Sequence, residues 1–129
     1  MSGADRIQDL LTWQLACELR DQIFTLTETG PASHDGDFRT QIRSASSSAA
    51  RNLAGVLICS SRGPVANHTR IVCGSLGETQ HCVLEGRKRN YFTEGDAARL
   101  LSLVRRTRGA GIRLFTSLEP CEEDDGSEL

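Results

Sequence analysis

Residues 7–28 read IQDLLTWQLACELRDQIFTLTE. Ile7, Leu11, Leu15, Leu19, Ile23 and Leu26 recur three or four apart, the spacing of one apolar stripe on an amphipathic helix. Trp13, Ala16, Cys17 and Phe24 widen that surface onto a second flank. A helix packed in one bundle needs an apolar arc of only about 100°, so the extra width predicts self-association. Asp5 is the candidate N-cap, which leaves residues 1–6 as a short N-terminal extension. The segment stops at Thr29-Gly30-Pro31, a Gly stop followed by Pro, and residues 31–36, PASHDG, are turn-forming types.

The same period continues along the chain. In residues 37–60 it is carried by Phe38, Ile42, Ala45, Ala49, Leu53 and Val56. Ser44–Ala50 is almost all Ser and Ala, so a Ser-rich linker competes with a helix there; the apolar spacing running through it favours the helix. Arg62-Gly63-Pro64 is the second break, with Pro64 suited to a first helical position. Residues 64–88 carry Val65, Ile71, Val72, Leu76, Val83 and Leu84, interrupted by Gly74, Gly77 and Gly86, each unfavourable in a helix interior. Thr93 with Asp96 resembles a capping box for a last segment, 94–118, built on Ala97, Leu100, Leu101, Val104, Gly111, Leu114, Phe115 and Leu118. Residues 119–129, EPCEEDDGSEL, hold six acids and no base, the composition of a disordered tail. Four such helices with short connections predict an all-α protein. Its architecture would be an up-down-up-down antiparallel four-helix bundle over 7–118, followed by the acidic tail.

Composition narrows the function classes. The chain has 129 residues, 38% of them apolar and 25% charged, with a net charge of −2, so it is not a uniformly basic binder. It has no apolar run near the ~18 residues of a membrane span, and Met1-Ser2-Gly3-Ala4-Asp5-Arg6 has no signal-peptide character. Five cysteines, Cys17, Cys59, Cys73, Cys82 and Cys121, form no C-x-x-C and read as packed free thiols. His68, Cys73, His81 and Cys82 do not share one helical stripe, and Glu78-Thr79-Gln80-His81 is a lone match to a bundle metal motif. No P-loop, G-x-G-x-x-G or G-x-S-x-G occurs. No catalytic residue, metal, cofactor or small-molecule substrate is expected.

The ordered motifs resemble a known family. Leu10-Leu11-Thr12-Trp13-Gln14-Leu15-Ala16, Leu26-Thr27 with Pro31, Gln41-Ile42-Arg43-Ser44-Ala45, Asn52-Leu53-Ala54-Gly55, Gly74-Ser75-Leu76-Gly77-Glu78 and Tyr91 follow one another as in the 23S ribosomal RNA intervening-sequence proteins. The resemblance covers about residues 8–118 and marks Trp13, Arg43, Asn52 and Glu78 as motif residues. It implies a small bacterial cytoplasmic four-helix bundle that assembles as a homo-oligomer, often a pentamer, with a context in ribosomal RNA insertions or nucleic-acid-binding accessories rather than a reaction. Four positions depart from the pattern: Gly55 where the family has Glu, His68 and Thr69 where it has large apolar residues, and Thr79 where it has Leu.

Charge supplies the candidate site. Residues 87–113 hold eight basic side chains against Glu94 and Asp96, a net +6. Arg99, Arg106 and Arg113 are seven apart and read as a stripe roughly opposite Leu100, Gly111 and Leu114. With Arg87, Lys88 and Arg89 they form a candidate surface for RNA or DNA phosphate, which the arginine fork suits. A solvated helix face is the plainer reading, and the acidic tail folding back would neutralise it. Arg39 and Arg43 are expected to pair with Asp35 or Asp37, and Glu78 with Arg43 or Arg51. A protein-interaction scaffold without nucleic-acid binding is the alternative function.

Overall fold

The computed structural model describes residues 3–58 and 62–127. Among them there are five helices and no strand: α1 (Gly3–Leu26), α2 (Pro31–His34), α3 (Gly36–Ile58), α4 (Arg62–Lys88) and α5 (Glu94–Ser127). The four long helices pack as a closed set, α1 against α3 and α5, and α4 against α3 and α5, while α2 rests on α3. The packing is bundle-like around one core. Leu19 and Ile23 enter it from α1; Ile42, Ala49 and Leu53 from α3; Val72, Leu76 and Val83 from α4; and Ala97, Leu100 and Val104 from α5.

Local chemistry fixes the connections. The Asp35 carboxylate accepts the Phe38 amide at 3.2 Å and so caps the start of α3. Asn90 takes the left-handed conformation (φ 63°) that ends α4, and the Tyr91 amide donates back to the Gly86 carbonyl at 2.8 Å. The Thr93 hydroxyl accepts the Asp96 amide at 3.0 Å at the head of α5. The Asp96 carboxylate turns to Arg99 instead of closing a capping box.

Four expectations need correction. α1 begins at Gly3, inside the stretch read as an extension; an acid complements the helix dipole anywhere in the first turn, so Asp5 did not fix the start. Residues 31–34 form a helical turn, because Pro31 suits a first helical position as well as a break. The buried line of α1 runs through Thr12, Ala16, Leu19 and Ile23, leaving Leu11 48% exposed. α5 continues through Pro120 to Ser127, over residues read as a tail. Acid-rich composition does not preclude a helix, since Glu is a good helix former. Cys59, Ser60 and Ser61 lie outside the described residues.

Candidate functional site

The six cations singled out from the sequence divide into two groups. Arg87 and Lys88 occupy the last turn of α4, where positive charge complements the helix dipole. Both are exposed, as are Arg106 and Arg113 on α5, and none of the four has a partner among the described residues. Arg89 is held instead, at 3.1 Å from Asp35 and 3.3 Å from Glu85. Arg99 is held too, at 2.7 Å from Asp96 and 3.2 Å from the Gln22 side-chain oxygen on α1. That bond to α1 places the Arg99–Arg106–Arg113 line along the α1 edge of α5 rather than opposite the core. The helical rise spaces its members by about 10 Å. Arg105, not in the original set, is also exposed and unpartnered, whereas Arg108 donates to Gln80 at 3.0 Å.

Arg39 and Arg43 are used differently from the sequence expectation. From α3 they reach the end of α1, where the last carbonyls lack intrahelical donors. Arg39 donates to the Thr27 carbonyl at 3.0 Å, and Arg43 to the Thr27 hydroxyl at 2.8 Å and the Phe24 carbonyl at 3.0 Å. The Arg43 guanidinium also sits 4.4 Å from the centroid of the Phe24 ring. Neither pairs with Asp35 or Asp37. Glu78 is exposed and pairs with neither Arg43 nor Arg51, because Arg43 lies on the α1 side of α3 while Glu78 points outward from α4.

Asn52 belongs to a polar seam between α3 and α4. Its amide donates to the Ser48 carbonyl at 2.8 Å, and its oxygen lies 2.8 Å from His68 Nδ1. That geometry gives the Nδ1 proton to the bond. Ser75 donates to Ser48 at 2.8 Å in the same seam. A Cβ on Gly55 would lie 2.7–2.9 Å from three atoms of the His68 ring. Two of the departures from the family pattern therefore fit each other: the ring occupies the space a side chain at 55 would need. Trp13 is half-buried against the core.

The α4–α5 turn is tied to the start of α3. The Tyr91 hydroxyl donates to Asp35 at 2.7 Å, and the Phe38 ring packs at 5.0 Å from Tyr91 and 5.9 Å from Phe92. The Tyr91 hydroxyl, the Phe38 amide and Arg89 together hold the Asp35 carboxyl below its ordinary range, and the bond to Asp35 pushes Tyr91 up. Burial, helped by Glu78 and Glu85, pushes the Cys82 thiol up to about 11. No three His, Cys, Asp or Glu side chains among the described residues come together as a metal site. No described helix is long and apolar enough to cross a membrane.

A family model described as 23S rRNA-intervening sequence protein matches residues 8–110. No curated protein matches the chain.

Proposed function

The chain belongs to the 23S rRNA-intervening sequence protein family, and from that premise we propose a non-enzymatic, self-associating bundle that binds RNA or DNA phosphate through its free cations. The reading takes the four long helices as an up-down-up-down antiparallel bundle, supported by their closed set of packed pairs and the few residues that separate one long helix from the next. One observation carries the binding: Arg87, Lys88, Arg105, Arg106 and Arg113 are exposed and unpartnered among the described residues, while Arg89 and Arg99 are spent on ion pairs. Binding reads charge rather than bases, since Tyr91 is committed to Asp35 and Phe92 is buried, leaving no free stacking aromatic in this stretch.

The resemblance sets a pentamer as the expected assembly. Repeating the cations in each copy raises avidity by about 10²-fold or more without a new contact. Fluorescence anisotropy with single-stranded RNA and duplex DNA at two salt concentrations tests the reading. Affinity should fall with a log–log slope of about −0.7 to −0.9 per phosphate neutralised. Arg105→Ala, Arg106→Ala and Arg113→Ala together should weaken binding and flatten that slope. Arg99→Ala should change little, and removal of the residues after Glu119 should strengthen binding. If nothing binds at low salt, the scaffold reading replaces it; exposed Leu10, Leu11 and Ile112, at 48%, 48% and 54%, are its supporting observation.

A further inference from the structure

The outer side of α4 is a surface that the proposed phosphate contact does not use. Arg70, Ile71, Gly74, Gly77 and Glu78 are all exposed on it. At 100° per residue, Arg70 and Gly77 lie to one side of Gly74, and Ile71 and Glu78 to the other. Arg70 and Glu78 each lack a partner among the described residues. On this face the position four residues away from either is the same one, Gly74, so neither charge finds its i,i+4 partner on its own helix. Of the two α3 arginines expected for Glu78, Arg43 is spent on α1 and Arg51 does not pair with it. Gly74 and Gly77 have no positive φ, and a Cβ on either would meet nothing within 4 Å. Neither backbone geometry nor packing within the chain calls for glycine there, although glycine weakens a helix interior.

We propose that this face of α4 is a two-fold contact between two copies of the chain, with the two α4 helices crossing antiparallel at Gly74 and Arg70 of each copy paired with Glu78 of the other. Gly74 stands midway between residues 70 and 78, so a two-fold axis there brings each residue 70 level with residue 78 of the second copy. With no side chain at the crossing point, the axes can approach to about 8 Å, the short end of helix packing. The facing Cβ atoms then come within about 5–6 Å, the spacing of an i,i+4 ion pair. Ile71 supplies apolar area beside the axis. The patch is complementary to itself, which an isologous contact requires and a head-to-tail ring contact does not. The proposal rests on the self-association inferred above but not on its copy number: a five-membered ring excludes a two-fold contact within itself, so the α4 face would join ring to ring.

Sedimentation velocity of the full chain without nucleic acid, at one micromolar concentration, tests this. Gly74→Leu has room within the chain and adds a better helix former, so circular dichroism should show helix content retained while the assembly mass falls about twofold, as loss of an isologous contact requires. Arg70→Glu and Glu78→Arg should each lower the mass in the same way, and the double exchange Arg70→Glu/Glu78→Arg should restore it. A mass unchanged by Gly74→Leu, or a double exchange that stays dissociated, overturns the α4 contact while leaving self-association standing. A wild-type chain that sediments as a monomer overturns both.

Discussion

Replacing Gly55 by Ala should destabilise the bundle, against the usual sign for a helix interior. Alanine alone is worth about 1 kcal/mol over glycine there. Its Cβ, however, would lie 2.7 Å from His68 Cε1, 2.8 Å from Nδ1 and 2.9 Å from Nε2. The ring is not a free end: its Nδ1 is anchored 2.8 Å from the Asn52 oxygen. Swinging it aside breaks that bond and leaves two half-buried polar groups unpaired, at about 1–3 kcal/mol. Overpacking without relaxation costs about the same. Net of the helix gain, Gly55→Ala should cost up to about 2 kcal/mol, a fall in Tm of up to about 8 °C for a chain of this size. In a His68→Ala background the clash is gone, and the same substitution should stabilise by about 1 kcal/mol. Urea titrations of the four variants at one protein concentration measure both steps, since self-association makes apparent stability concentration-dependent. A Gly55→Ala protein more stable than wild type, or one whose effect keeps its sign without His68, would refute the reasoning.

Asp35→Asn should lower stability at neutral pH only. The Asp35 carboxyl is held below its ordinary range, so its contribution is present above about pH 4 and lost as pH falls through the folded value. The gap between the thermal melts of wild type and variant should narrow steadily as pH falls below about 4, and a gap that stays constant on acidification counts against the bond network. Tyr91 is shifted up, so the benefit of its neutral hydroxyl is present below about pH 10 and lost above, and Tyr91→Phe should approach wild type in alkali. Arg43→Ala removes both bonds to the end of α1 and should cost about 1–3 kcal/mol, with Arg43→Lys recovering less than half by urea titration; full recovery by Lys would reduce the role to charge. Gly86→Ala would set a Cβ 2.5 Å from the Phe92 ring and 2.9 Å from Phe38 and should lose about 1–3 kcal/mol, whereas Gly77→Ala in dilute solution should gain up to about 1 kcal/mol. Equal melting temperatures for those two would contradict the packing.

The helices were legible because a 3.6-residue period writes the core onto the sequence directly, and α3 forms straight through the Ser-rich Ser44–Ala50 stretch. What hydropathy hid is that hydroxyl side chains share the core with Leu and Val. Thr27, Ser46, Thr79 and Thr107 are buried, and each hydroxyl donates to the carbonyl four residues back, at 2.8, 3.0, 2.7 and 2.7 Å. A group satisfied within its own helix carries little polarity into the core, so Thr79 can stand where the family has Leu. The sign of the 87–113 stretch was equally plain, but its partners were not. Arg89 reaches Asp35, 54 residues away, and Arg99 reaches Gln22, 77 residues away; no local pattern encodes either. The fit of His68 to Gly55 left two traces, both visible only as departures from the family pattern, and nothing linked them before the helices were packed.

That 77-residue reach from Arg99 to Gln22 also bears on how the protein assembles itself in time. Three of the four packed pairs, α1–α3, α3–α4 and α4–α5, join long helices that follow one another along the chain, and only α1–α5 joins helices far apart in it. Neighbouring hairpins close short loops and form early, while a distant pairing bears more loop-closure entropy before its contacts repay it. The α1–α5 seam is therefore the last to zip and the first to part. A molecule caught with that seam open exposes the core stripes of both helices, and the surface that fits them best is the same seam in another copy, open in the same way. Exchange of α1 between copies is the misassembly this connectivity invites, and Arg99, with its grip on Gln22, sits on the latch.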